Sequence, residues 1–426
     1  MKTLKVVLIG AGNRGQTYTN LMKDDDRFQV VGVAEPKKEQ RDFIKNNHGI
    51  PDKNCFDTWE ELLEQPQFAD LAIIATSDRG HFAPAMKALE KGYDLLLEKP
   101  AAPTYEECMK IEKLAKEKGS KVLVCHVLRY TPFFKKIKTM IDEGKVGKVL
   151  SIHHCECVGN VHQSHSYVRG NWGNTEKSAP MILAKACHDM DILQWLIGSD
   201  CSKVHSFGSL SYFRKENAPE GSPEYCIEGC PYADTCYYNA VKLYLDDKEN
   251  LWFREAATKD KKPSDEIVAK ALRETQYGKC VYKCDNDVVD HQVVNLEFEN
   301  SAVASFNMSA FNYNGRTIRI MGTDGEIWGE WEKDEIEYFD FATREHTYFR
   351  TADALTDQSI LGGHGGGDEG IVNDLYSYIV GESECNSFSE IGISVKNHAI
   401  AFAAEESRLT GKVVDMREYR NSFEEC

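Results

Sequence analysis

The six residues Gly10-Ala11-Gly12-Asn13-Arg14-Gly15 constrain this chain more than any other stretch. They follow the short apolar run Leu4 to Ile9, which reads as a buried parallel strand, and a helix is expected from about Gln16. The run fits G-x-G-x-x-G: the first glycine allows a tight turn, the second lets backbone approach a pyrophosphate, and the third lets the helix pack closely. Glu35 closes the next strand about twenty residues on, where a carboxylate can grip both ribose hydroxyls. That carboxylate should repel the extra phosphate of NADP, so NAD is the expected cofactor and NADP the less favoured one. Lys37, Lys38 and Arg41 lie nearby but read as an ordinary solvated helix start.

The pattern after the glycines extends the constraint. Strands are expected at Phe28 to Ala34, Leu71 to Ala75, Asp94 to Leu97 and Lys121 to Cys125. Helices are expected between them at Glu39 to Asn47, Ala83 to Lys91 and Tyr105 to Lys118. Such alternation indicates βαβ units and a doubly wound parallel sheet. Beyond about Arg129 the pattern changes to longer alternating strands at Val289 to Glu297, Ala302 to Ser309 and Thr317 to Gly322, the mark of an open, mostly antiparallel sheet covered on one face by helices. The Gly- and Asp-rich stretch Gly362 to Gly370 opens a further helix, and a last one, Val395 to Leu409, ends at Gly411. The expectation is an α/β Rossmann domain over 1–128 and an α+β substrate and oligomerisation domain over 129–426, with a cysteine-bearing insertion at about 213–285. A length of 426 residues suits two cores better than one.

With 51 basic against 68 acidic residues, net −17, the surface repels polyphosphate backbones and anionic lipid, so neither nucleic acid nor membrane is an expected partner. The apolar run at Val6 to Ile9 is too short for a signal-peptide core, and a cytoplasmic protein with reduced thiols is expected.

Two more motifs matter together: Glu98-Lys99-Pro100 at a strand end, and Lys185-Ala186-Cys187-His188-Asp189-Met190-Asp191 opening a distant helix. With Ala75-Thr76, His81, Arg129-Tyr130 and Pro132, their order resembles the Gfo/Idh/MocA family of sugar and cyclitol dehydrogenases over nearly the whole chain. The resemblance implies that Lys99 and His188 flank the substrate carbinol beside the nicotinamide, and that Thr76, His81, Glu98 and Arg129 line the cofactor side. The chemistry agrees, because carbinol oxidation needs a base for the hydroxyl proton and a cation for the developing alkoxide. Asp191, one turn after His188, is expected to share its face. Many relatives carry an aspartate four residues before the histidine; here Ala184 stands there and Lys185 sits three before, a second cation that could depress a lysine pKa.

Tyr130, Arg169, Trp172, His291 and His364 are the candidate substrate contacts, the last in the flexible run His364 to Asp368. Cys226, Cys230, Cys236, Cys280 and Cys284 could gather four thiolates around a structural zinc ion or an iron–sulfur cluster. Three functions stay open on the residues alone. One is an NAD-dependent dehydrogenase of a ring carbinol in a sugar, sugar derivative or cyclitol. Another is a redox-neutral hydrolase or lyase working through a transient keto sugar, and the third a non-catalytic cofactor sensor. Retention of both Lys99 and His188 argues against the sensor. A carbohydrate is the expected small-molecule partner, and a homodimer or homotetramer would cover the open sheet.

Overall fold

The computed structural model describes residues 2–313, 315–351, 363–382 and 388–424. Its first sheet holds six parallel strands, β1 (Leu4–Ile9), β2 (Phe28–Ala34), β3 (Cys55–Phe56), β4 (Leu71–Ile74), β5 (Asp94–Leu97) and β6 (Val122–Val124), in the order β3-β2-β1-β4-β5-β6. This is the dinucleotide-binding order, with its crevice at the carboxyl ends of the strands. β1 is central and apolar because it is covered on both faces: Val7 and Ile9 enter one core, Leu4, Val6 and Leu8 the other. Each such side chain fully removed from water contributes roughly 1.5–3 kcal/mol.

The second core is closed by a late part of the chain. Ile371, Val372, Leu375 and Tyr376 of helix Gly367–Val380 pack against the first sheet's residues, so a cut after 128 does not divide the packing. Glycine makes this docking possible, since a Cβ on Gly367 would stand 2.5 Å from the Val127 carbonyl oxygen. Helix Ile391–Thr410 ends on Gly411 at φ +69°, the left-handed cap that the sequence anticipates.

The second sheet has nine strands: β7 (Val149–Cys157), β8 (Cys201–Ser209), β9 (His291–Phe298), β10 (Val303–Ser309), β11 (Gly315–Gly322), β12 (Gly325–Glu330), β13 (Glu335–Asp340), β14 (His346–Phe349) and β15 (Val414–Asp415). Their order is β14-β13-β12-β11-β7-β10-β9-β8-β15, antiparallel except for the β7–β10 pair. Side chains alternate, as a period of two demands. Leu296, Phe306 and Ile320 face helices Cys187–Ile197 and Ile391–Thr410, while Phe207, Val293, Val303 and Trp328 stand exposed on the other face.

The insertion leaves this sheet after β8 and returns at β9. It carries helices Leu251–Thr258 and Asp265–Glu274 around a small core of Tyr244, Phe253, Val268 and Leu272.

Candidate active site

The glycine turn sits at the end of β1, and each glycine has a distinct steric reason. A Cβ on Gly10, at φ +93°, would meet the Ala75 carbonyl oxygen at 2.5 Å, and one on Gly15 would meet the Gly10 carbonyl oxygen at 2.1 Å. A Cβ on Gly12 would meet nothing within 4 Å. Gly12 also caps helix Asn13–Leu21 without a side-chain acceptor. Open space beside free helix N–H groups suits a pyrophosphate, so these residues fit the nucleotide that the motif predicts. The Glu35 carboxylate accepts hydrogen bonds from Ala11 N (2.8 Å) and Lys37 N (3.0 Å), which places it at the mouth of the turn. Arg41 is bound to Asp57 and Lys38 to Asp42, so both are already paired.

The Arg14 side chain is held by protein groups. Its Nε donates to Glu98 Oε1 (2.8 Å), its two terminal nitrogens donate to both carboxylate oxygens of Asp368 (2.9 and 2.6 Å), and one also donates to Tyr18 Oη. Tyr18 Oη in turn donates to Glu98 Oε1 (2.7 Å), and Lys99 N to Glu98 Oε2 (2.9 Å). Burial would raise the Glu98 carboxyl, but Arg14 and Lys99 outweigh it and hold its pKa below the usual value. Asp368 behaves likewise: burial is overcome by hydrogen bonds from Arg14 and His364. The His364 ring approaches that carboxylate through Nδ1 at 3.1 and 3.2 Å. The glycine loop, the Glu98-Lys99-Pro100 turn and the His364 loop are thereby one polar unit. Gly362, at the start of that loop in the sequence reading, lies outside the described residues.

Lys99, at a cis Lys99–Pro100 bond, reaches toward the second domain and donates from Nζ to the Ala184 carbonyl (3.2 Å). His188, 6% exposed, begins the helix that follows, and its Nδ1 is buried without a protein partner. Its pKa lies well below the ordinary value, first through burial and then through the charge of Lys99. The His188 ring stands 5.8 Å from that of His126 and 6.5 Å from that of His364, centre to centre.

Two aspartates on the same helix serve other partners. Asp191 does not hold His188; it takes Nε and one terminal nitrogen of Arg129 (2.6 and 2.7 Å) and a bond from Asn397. Buried Arg129 thus joins Asp191 to the face of Trp195. Asp189 binds His154 Nε2 (2.7 Å) and Arg316 Nε (2.8 Å). Arg316 also pairs with Glu156, which pairs with Lys185 at 3.2 Å. Burial, aided by Arg316, lowers the Lys185 pKa, whereas the sequence suggested Lys99 as the opposing cation.

The remaining candidate contacts are held by protein partners. Tyr130 is 2% exposed and bonded to Ser389 (Oη to Oγ, 2.9 Å), stapling the chain to the first sheet. His81 lies between the carbonyls of Pro100 (2.7 Å) and Thr76 (3.1 Å) and braces the two turns. Trp172, half-buried, donates from its indole to Asp78 (3.0 Å) across the domains. His291 points to the exposed side of the second sheet, paired with Asp290 (2.7 Å), because its position in β9 alternates outward. Arg169 is buried at the insertion, donating to the carbonyls of Lys279 (2.9 Å) and Tyr238 (2.7 Å).

Arg169 also gives a physical reason for the correction at the cysteines. Its guanidinium stands 3.9 Å from Cys226 Sγ and close to Cys280 and Cys284, so a buried cation already occupies the place between the thiols. Cys226, Cys230, Cys236, Cys280 and Cys284 are free, and among the described residues no group of three or more His, Cys, Asp or Glu is disposed to hold a metal. The zinc and iron–sulfur expectation is withdrawn. Also among the described residues, no helix is long and apolar enough to cross a membrane.

Sequence reasoning gave no role to Asp189, Glu156, His126 or His398, the last of which accepts from Ala101 N (3.0 Å) and stands 5.4 Å from the His126 ring, and it named Asp368 only as part of a candidate substrate loop. For Glu156, His154 and Arg316 a signal existed, since all three are polar where the alternation of β7 and β11 points inward.

Comparison with known proteins adds three findings. The model of an oxidoreductase family with an NAD-binding Rossmann fold matches residues 4–126, and that of the family's C-terminal α/β domain matches 138–382. The Bacillus subtilis (strain 168) protein YteT is 26% identical over 364 residues, 82% of each chain. The 2,7-anhydro-N-acetylneuraminate hydratase of Mediterraneibacter gnavus is 26% identical over 210 residues, covering 49% of this chain and 53% of that protein. Among solved structures, a levoglucosan dehydrogenase bound to NADH and levoglucosan superposes with a TM-score of 0.70 at 20% identity, over 97% of this chain and 100% of that one.

Proposed function

The chain belongs to the Gfo/Idh/MocA oxidoreductase family, and on that premise we propose that it oxidises a ring carbinol of a sugar, sugar derivative or cyclitol at the expense of NAD+. The observation that carries this reading is that Lys99 from the first domain bonds to Ala184, at the end of the short helix just before that of His188, and that its charge is felt at the buried His188 ring. NAD+ bound at the glycine turn would supply the hydride acceptor. Glu35 favours NAD+ over NADP+, because a carboxylate at the mouth of the turn repels a 2′-phosphate while Lys38 and Arg41 are neutralised by their own partners.

The protein's part is to handle the proton and the charge. Burial keeps His188 neutral at physiological pH, so its imidazole can accept the hydroxyl proton. The Lys99 ammonium then faces the developing alkoxide, held in place by the Ala184 carbonyl and by the backbone bond from Lys99 N to Glu98. Lys185 is paired with Glu156.

A redox-neutral outcome is the second reading. It is favoured by a second imidazole, His364, beside His188 and by the water-adding chemistry in the name of the hydratase relative. Incubating the protein with NAD+ and a panel of sugars, cyclitols, anhydro sugars and glycosides separates the two. NADH accumulating with a keto product supports the dehydrogenase; substrate consumed without net NADH supports the redox-neutral path; no reaction across the panel contradicts both.

The exposed apolar side chains Phe207, Val293, Val303 and Trp328, on the uncovered face of the second sheet, support a second copy of this chain as its cover. Sedimentation should show a dimer or larger for the native protein and a shift toward monomer for Phe207→Asp with Val303→Asp; an unchanged profile would contradict this assembly.

A further inference from the structure

We infer that His364, oriented by Asp368, is a second proton-transfer residue that removes a proton from a C–H bond next to a substrate carbonyl. The inference rests on the carbohydrate reading of the site and adds a step that simple carbinol oxidation does not need. That oxidation releases one proton, from the hydroxyl, and His188 suffices for it. A second imidazole, separately oriented and 6.5 Å away ring to ring, calls for a second proton.

The orientation is built, not incidental. Asp368 is 1% exposed, and Arg14 grips both its oxygens. The His364 ring meets that carboxylate through Nδ1, so a proton there donates to Asp368 and the lone pair stays on Nε2 at the opposite edge. The backbone accepts a penalty to hold this pose. His364 has φ +51°, a left-handed conformation that is unfavourable for a residue with a Cβ. Gly363, Gly365 and Gly366 around it share the left-handed region, so the whole turn is shaped to present one imidazole. Burial leaves His364 neutral at physiological pH, in keeping with a base.

The step balances without an oxidant. The Nε2 lone pair takes the proton, the C–H electrons form a carbon–carbon double bond, and the carbonyl π electrons move to oxygen as an enolate facing the Lys99 ammonium. Reversal returns a proton from the His364 imidazolium to the same carbon, with no net redox change.

The test uses the full-length protein in D2O with two ketone probes, 2-keto-myo-inositol and a keto-glucose, following deuterium at the carbon beside the carbonyl by mass spectrometry. Oxidation of NADH by the same ketones is measured in parallel. Exchange by the native protein that drops on the order of a hundredfold in both His364→Gln and Asp368→Asn, by more than NADH oxidation drops, supports the inference. Exchange that persists in His364→Gln overturns it. NADH oxidation without exchange overturns it too while leaving the dehydrogenase reading intact. Exchange without NADH oxidation does the reverse, and silence in both channels overturns both.

Discussion

At the scale of single residues, the account predicts that Lys99→Ala and His188→Ala each reduce turnover by two to four orders of magnitude, the range of a lost general base or charge stabiliser. NADH affinity, read by fluorescence, should change little, since the glycine turn and Glu35 are untouched; native turnover in either variant would sink the assignment. Both residues were singled out because their motifs, at a strand end and a helix start, carry the resemblance to the family. What those motifs could not reveal is who holds them. Arg14 and Asp368 are 354 positions apart, and nothing local marks the pair. Asp191 shows the opposite error, where helical spacing correctly put it one turn from His188 while a buried cation, Arg129, drew its carboxylate away. Tyr130 and Arg169 fall in motif-like surroundings yet are consumed by packing, because a long polar side chain inside the protein must satisfy its own donors first.

At the scale of elements, five strands of the first sheet were legible because each is a short apolar run ending near a glycine or polar turn, while β3 (Cys55–Phe56), two residues long, is too short to show a pattern. Of the second sheet's nine strands, only β9, β10 and β11 were legible, from period-two alternation. The destination of helix Gly367–Val380 was not: its apolar stripe says that it must be covered, but not by which sheet. Gly15 offers a direct test at this scale. A Cβ there would stand 2.1 Å from the Gly10 carbonyl, so Gly15→Ala must push helix Asn13–Leu21 off β1. The expected cost is about 1–3 kcal/mol of stability together with weaker NADH binding. Equal urea midpoints and equal affinity in the variant would contradict the close packing assigned to that glycine.

At the scale of the whole molecule, buried imidazoles tie stability to pH. His126 and His398 are fully buried, and burial, with nearby positive charge, pushes each down to about 3. An unfolded histidine titrates near 6.5, so between those values the unfolded chain binds protons that the folded chain refuses. Their contribution is complete above about pH 6.5 and falls with acid, by up to roughly 1 to 1.5 kcal/mol per pH unit for each imidazole. His126, neither of whose ring nitrogens has a protein partner, can be replaced without breaking a bond. His126→Leu should therefore flatten the acid dependence of the urea midpoint by about one proton's worth, whereas an unchanged slope would show that this ring is protonated in the folded state. The central claim, that a ring carbinol gives up its hydrogen across the meeting of Lys99 and His188, is tested most directly by isotope transfer. The substrate found in the carbohydrate panel is prepared with deuterium on its carbinol carbon, and the nicotinamide is examined by mass spectrometry after a single turnover. The account predicts NADH carrying one deuterium in the native protein, and a rate of label transfer that collapses in Lys99→Ala and His188→Ala. Unlabelled NADH, or label transfer indifferent to both substitutions, would contradict it.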